Sequence, residues 1–452
     1  MAVSENITEL GTKPVGSLLL KYATPAVIAM TASSLYNIID AVFIGQGVGP
    51  LAIAGVSLSF PVMQVTSAFG AMVGVGAATL LSVKLGERDY DTAKKILGNV
   101  LLLNIIMGVV IGLLMLAFIN PILYFFGASD ETVGYARDFM TIVLLGNVVT
   151  HLYLGMNSLL RASGHPRQAM FATIGTVCFN ILLAPLFIYG FKWGIRGAAA
   201  ATVLSQILVL AWELKLFSNP KEFIHFQRDS IGLDYRIVSG TLSIGMSPFL
   251  MNLCGCVVTV FFNWSLAHYG SDMEIAAYGI NNRLAFFFAM IVVGLNQGMQ
   301  PIAGYNYGAR KFDRLRQALI KSMMAATYVV CAGFVLCMMF PYACVRAFTT
   351  DSQLIESSVY AIRIMFLAFP IIGFQMVTTN FFQCIGQVRK SIFLSMTRQL
   401  IFIVPLLYVL PRYMGLTGIW YTIPVADVLS TFLTGYFLVK ALRQFRKEQV
   451  VS

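Results

Sequence analysis

Apolar runs of twenty or more residues, each closed by a charged residue, a glycine or a proline, occupy most of the chain. They predict twelve helices over 17–44, 53–82, 91–120, 131–162, 166–189, 195–217, 236–267, 272–306, 311–341, 353–386, 388–411 and 416–443. About 20 helical residues cross a hydrocarbon core, so every run is long enough to span, and the longest must tilt or project beyond the bilayer. The pattern predicts an all-α polytopic membrane protein.

One position breaks the first run. In Ser33-Ser34-Leu35-Tyr36-Asn37-Ile38-Ile39-Asp40-Ala41-Val42-Phe43-Ile44-Gly45 an aspartate stands where lipid disfavours it. A carboxylate at mid-span costs about 2.5–3.5 kcal/mol on insertion scales, so an intramembrane acid points to function. Helical spacing puts Ser33, Asn37 and Asp40 on one stripe, with Tyr36 one turn before the acid, as in the wall of a polar cavity. The competing reading is an aspartate, protonated or hydrogen-bonded, that only locks helix packing.

The pattern also repeats. Leu51 to Gly55, Gly74 to Gly76 and Lys84 to Arg88 are echoed 222 residues later by Met273 to Ala277, Asn296 to Gly298 and Asn306 to Arg310. Pro25 and Pro248 open the two copies alike, and Gly164-His165-Pro166-Arg167 resembles Gly386-Gln387-Val388-Arg389. Each copy holds six spans, an even number, so both insert the same way and are related about an axis along the membrane normal. The predicted lobes are 1–226 and 227–452, joined by a polar linker from Phe217 to Asp234. Two such bundles with a cavity between them are a common secondary-transporter architecture.

Composition narrows the class. The chain has 452 residues, 58% hydrophobic and only 11% charged, with a mean hydropathy of +0.77. The net charge of +11 does not indicate nucleic acid, because the bases sit in short loops. One set of loops holds Lys84, Arg88, Lys94, Lys95, Arg161, Arg167, Lys215, Lys221, Arg228, Arg310, Lys311, Arg314, Arg316, Arg389 and Lys390, against Lys192, Arg196, Arg346 and Arg412 in the other. The positive-inside rule therefore places the first set and both termini in the cytoplasm. Seven cysteines, an odd number within or beside apolar runs, argue against a disulfide framework. Cys254-Gly255-Cys256 lacks a nearby His or acid, which argues against a metal site.

Two further polar residues join Asp40. At about 1.5 Å per residue, Asp40, Asn180 and Thr202 all fall in the outer half of the first bundle, where carboxylate, amide and hydroxyl oxygens can hold a proton or a sodium ion. The alternative is that Asn180 and Thr202 only bond helix to helix. In the second bundle Asp427 is a second intramembrane acid, and Asn282 and Arg283 are polar candidates; Arg283 and Asp427 either pair across helices or meet the cavity separately. Glu213 and Lys215 are expected to snorkel at a helix end. Gly70-Ala71-Met72-Val73-Gly74 reads as a packing face, and His151 as a packing histidine. No nucleophile elbow, P-loop or zincin helix appears, which argues against an enzyme.

Tyr36-Asn37-Ile38-Ile39-Asp40 through Gly45, together with Gln300-Pro301-Ile302-Ala303-Gly304-Tyr305-Asn306-Tyr307-Gly308-Ala309, resembles the MATE (multidrug and toxic compound extrusion) transporters, and more closely their DinF/MepA-like bacterial and archaeal branch. The similarity extends over nearly the whole chain, including Leu159 to Gly164 and Gly194 to Gln206. It implies a V-shaped pair of six-helix lobes, expected to be monomeric in the bacterial plasma membrane, that expels amphipathic, cationic, aromatic drugs in exchange for H⁺ or Na⁺. It also implies that Asp40 is the coupling carboxylate, with Tyr36, Asn180 and Thr202 around it. Relatives often carry an acid four residues after this Asn, where Asn180-Ile181-Leu182-Leu183-Ala184-Pro185 has Ala184, which favours protons. No organic cofactor is implied, and membrane lipids are expected neighbours. The alternative cargo for such a fold is a lipid or lipid-linked precursor, which would call for several bases in the cavity.

Overall fold

The computed structural model describes residues 5–126, 129–227 and 230–451; at Asn37 and a few other helical positions it describes the backbone alone. Arg228 lies outside the described residues. After a short helix α1 (Glu5–Thr12), the first half contains α2 (Val15–Gly47), α3 (Pro50–Glu87), α4 (Tyr90–Ala117), α5 (Ile119–Phe125), α6 (Val133–Leu145), α7 (Asn147–Ala162), α8 (Pro166–Pro185) with a π-helical turn at Leu186–Gly190, and α9 (Gly194–Phe217). The second half contains α10 (Tyr235–Tyr269), α11 (Asp272–Gly308), α12 (Phe312–Met339), α13 (Pro341–Arg346), α14 (Ser352–Met365), α15 (Phe369–Cys384), α16 (Val388–Met396), a π-helical stretch at Thr397–Ile403, α17 (Val404–Met414) and α18 (Leu416–Val451). Among the described residues there is no strand.

Among the described residues ten helices are long and apolar enough to cross a bilayer, or twelve if each of the bent pairs α6/α7 and α14/α15 is one span. The sequence pattern predicts one helix over each of 131–162 and 353–386, with Pro370 among the interior prolines that fit bending helices, and each is a pair, bent by 56° and 59° respectively. The second break precedes Pro370, whose ring cannot continue the hydrogen-bond ladder. The first is at Gly146, where a Cβ would press on Val203 at 2.6 Å, so the bend lets α6 and α7 pack closely on α9. The two halves use the same backbone devices at the same spacing. Left-handed φ angles occur at Arg88 (63°) and Arg310 (54°), and again at Gly164 (96°) and Gly386 (70°).

Each half has its own apolar core. That of the second half runs from Val258 to Phe445, with Trp420, Phe366, Phe381 and Phe382 fully buried. The first half has one cluster around Leu81, Leu97 and Leu159 and another around Ile44, Phe139 and Phe187. The stretch from Phe217 to Asp234, expected as a polar linker, is instead packed: Phe223 and Ile224 are buried in the first half's core, and the Lys94 ammonium lies 5.4 Å from the centre of the Phe223 ring. Two apolar residues amid polar neighbours are enough to dock the segment.

The halves meet on the face that carries the basic loops. Here α3 crosses α10 so closely that a Cβ on Gly245 would overlap the Met72 carbonyl, and one on Gly76 the Thr241 carbonyl. Glycine at both positions lets two backbones touch. Gln300 Nε2 donates to Thr79 Oγ1 at 2.9 Å and to the Val75 carbonyl at 3.1 Å, and the Phe69 and Phe249 rings lie 4.6 Å apart. Helix α1, absent from the sequence reading, straps this face. Its C-terminal carbonyls accept from Asn306 (Leu10, 3.0 Å), Lys311 (Gly11, 2.8 Å) and Arg314 (Leu10, 3.1 Å) of the other half. Lys13 and Lys21 hydrogen-bond Glu9 of this strap and hold its carboxyl below the usual range. These contacts between the halves lie between the basic face and the level of Met30, Phe69 and Phe249.

Candidate ion-coupling site

Three helices of the first half meet one turn from Asp40. Its own helix, α2, brings Tyr36; α8 brings Asn180; α9 brings Thr202. The Thr202 hydroxyl donates to the Ala198 carbonyl one turn back at 3.1 Å, which uses its only proton. It therefore accepts from both Asn180 Nδ2 at 3.0 Å and the Tyr36 hydroxyl at 3.3 Å. This chain ties the α2, α8 and α9 spans together in the half of the bilayer away from the basic face.

Two buried oxygens, one in this chain and one a turn along α2 from Tyr36, accept nothing. Asp40 Oδ1 and Asn180 Oδ1 are both buried and without a hydrogen-bond partner, and no cation pairs with Asp40 among the described residues. A buried acceptor left unmade costs about 1–3 kcal/mol, and more when charged. The backbone also departs from regular helix beside the network: Pro185 ends α8, and the π-helical turn at Leu186–Gly190 follows, a feature frequent at functional sites. Ala184, where the resemblance led us to look for an acid, is fully buried in the apolar cluster with Ile44 and Phe187. Asn37 shares the stripe by helical position, but its side chain lies outside the described residues.

The second half arranges its polar residues otherwise. Asn282 and Arg283 are exposed on α11, and Arg283 has no ion pair among the described residues. Asp427 on α18 is instead paired with Arg398, whose Nε lies 2.6 Å from Asp427 Oδ1. The expected alternative of an Arg283–Asp427 pair is thus corrected: α11 places its base elsewhere, and the π-helical stretch of the eleventh span supplies the partner. Asp427 is wholly inaccessible and Arg398 is 27% exposed. Ser430 Oγ and Thr431 Oγ1 donate to the Asp427 carbonyl at 3.2 and 2.6 Å, and Gln375 Nε2 donates to Ser430 Oγ at 2.7 Å. Sequence reasoning missed Arg398, although the signal was available, since Thr397-Arg398-Gln399 interrupts an apolar run just as Asp40 does.

Glu213 requires a second correction. It does not snorkel to the surface but is fully buried, where Asn157 Nδ2 donates to its Oε1 at 3.3 Å. Asn157 in turn accepts from Arg161, one turn along α7, so its amide bridges acid and base. Glu213 thus has a buried polar partner, which removes the reason to reach for water. His151 packs as expected, with Nε2 3.0 Å from the Thr66 carbonyl. All seven cysteines are free, and among the described residues no group of three or more His, Cys, Asp or Glu could hold a metal ion.

The architecture has known counterparts. The MatE family model matches the chain twice, over residues 25–186 and 248–409, two segments 223 residues apart. The multidrug export protein MepA of Staphylococcus haemolyticus is 28% identical over 428 residues, 94% of this chain and 93% of its own. MepA of Staphylococcus aureus is also 28% identical, over 95% of this chain and 94% of its own. Among solved structures, the MATE multidrug transporter DinF-BH, solved as a complex, is 34% identical, with a TM-score of 0.90 over 97% of this chain and 98% of its own. An outward-facing MATE family transporter of the MOP superfamily is 25% identical, with a TM-score of 0.93 over 99% and 100%. With both halves matched by one family model and nearly the full length superimposed on solved transporters, this chain belongs to the MATE family of membrane transporters.

Proposed function

We propose that the chain is a secondary active antiporter that exports amphipathic, cationic aromatic compounds by alternating access, with the proton as its coupling ion. The observation that carries the reading is the pair of buried oxygens, Asp40 Oδ1 and Asn180 Oδ1, that lack a donor beside the Tyr36–Thr202 link. One proton on Asp40 removes its charge and turns an unsatisfied acceptor into a donor. A sodium ion here would find few free oxygens, because Thr202 Oγ1 already accepts two hydrogen bonds and Ala184 offers none.

Coupling follows from one charge with two claimants. Ionised, Asp40 favours a cationic drug in the cleft; protonated, it no longer does, so proton and drug bias opposite states. The names of the MepA relatives and of the multidrug transporter DinF-BH support drugs as the cargo.

The test is dye transport by purified protein in proteoliposomes under an imposed pH gradient or an imposed sodium gradient. The pH gradient alone is expected to drive transport, and Asp40→Asn to stop it while leaving expression intact. Transport driven by sodium alone, or a fully active Asp40→Asn, overturns the reading.

A further inference from the structure

Arg398 is an intramembrane base whose pairing is unfinished. It stands ten residues into the span Val388–Met414, about 15 Å below the basic face at ~1.5 Å per residue, close to mid-bilayer. A guanidinium at that depth does not face lipid; it turns to the bundle interior or to a water-filled cavity. The wholly inaccessible Asp427 takes only its Nε, leaving the two Nη groups without a hydrogen-bond partner among the described residues, and the side chain is 27% exposed. The exposed part is therefore open to a water-filled cavity rather than to lipid. The guanidinium is held from behind by Asp427 and presents its Nη–H donors forward.

The hold is itself braced. Ser430 and Thr431 donate to the Asp427 backbone carbonyl, and Gln375 of α15 donates to Ser430, so α15 is tied to α18 at the turn that carries Asp427. Arg398 lies in the π-helical stretch Thr397–Ile403, whose extra residue per turn is a feature concentrated at functional sites. A planar fork of donors, pre-oriented by a buried acid, matches the geometry of a carboxylate.

We infer that Arg398, positioned by Asp427, is a recognition point in the second half of the cleft for a carboxylate on the transported molecule. The inference rests on the efflux reading above and extends its substrate class from cations to zwitterions, whose acidic group meets Arg398.

Two matched probes test it: a xanthene dye bearing a free carboxylate, and its ethyl ester, which keeps the cationic ring system and loses the acid. Binding of each to the full-length purified protein is followed by fluorescence anisotropy. The wild type is expected to bind both. Arg398→Lys keeps a cation against Asp427 but loses the fork; it is expected to weaken the acid about tenfold and the ester less than about twofold. The double variant Arg398→Gln with Asp427→Asn removes both charges together, avoids stranding a buried carboxylate, and is expected to show the same selectivity. Equal weakening of both dyes in these variants, or no change in either, overturns the inference. So does a wild type that binds the ester but not the acid, an outcome that leaves the efflux reading standing. A wild type that neither binds nor exports either dye refutes both.

Discussion

Each half carries an acid well inside a span, Asp40 in the first and Asp427 in the second, and they treat it in opposite ways. At the repeat spacing of 222 residues, Arg398 and Asp427 correspond to Thr176 and Ser205, about one helical turn from Asn180 and Thr202. In the first half the neighbouring polar groups bond to one another, and Asp40 Oδ1 is left without a partner. In the second half Asp427 is held through Oδ1 by a guanidinium at 2.6 Å; its Oδ2 has no partner, but the carboxylate already has its counter-charge. Protonating Asp427 would weaken a charge-assisted bond that already holds its carboxylate, whereas no cation pairs with Asp40 among the described residues. The same fold thus supplies one carboxylate without a counter-charge and one paired with a guanidinium.

Breaking the first arrangement should have the largest effect. Asp40→Asn removes the exchangeable charge while keeping size and polarity, and drug affinity that differs about tenfold or more between acid and alkaline pH in the wild type should become independent of pH, as read by equilibrium dye binding. Disturbing the second arrangement should act on folding instead. Asp427→Ala leaves Arg398 without its counter-charge and is expected to cost about 3 kcal/mol, the low end for a broken buried pair because the arginine is partly exposed. Thermal unfolding in detergent checks it, and the Asp427→Asn with Arg398→Gln pair should recover most of the loss.

Smaller effects probe the joint between the halves and the edges of the network. Gly245→Leu forces α3 and α10 apart where a Cβ already overlaps the Met72 carbonyl, at about 1–3 kcal/mol of overpacking. Spin-label distances across the basic face should lengthen, and unchanged distances would mean that this crossing does not hold the halves together. Thr202→Val keeps the shape and removes the acceptor shared by Tyr36 and Asn180; about 1 kcal/mol per lost hydrogen bond gives a severalfold change in coupling, with much of the pH response retained.

What the sequence made legible follows from its periods. Apolar runs of bilayer length gave the spans, and recurring glycine and proline positions gave the repeat, since both are properties of one chain read in order. The bends at Gly146 and before Pro370 were less visible, because a membrane helix tolerates such residues and neighbouring packing decides whether it breaks. The Asp40 stripe was legible because Tyr36 and Asp40 share one helix, and Asn180 and Thr202 were found by depth. The partner of Asp427 was not, since spacing along α11 and α18 does not say which faces turn toward each other; Arg283 and Arg398 were equally available as bases. Glu213 was misplaced for a related reason: its neutralising partners, Asn157 and Arg161, come from α7, more than fifty residues earlier in the chain.

The central claim is that Asp40 exchanges a proton for drug. It is tested most directly by measuring proton release when dye binds to purified protein in weakly buffered solution without sodium. The account predicts close to one proton released per dye bound by the wild type and none by Asp40→Asn. Dye binding by the wild type without proton release, or the same release from Asp40→Asn, would contradict it.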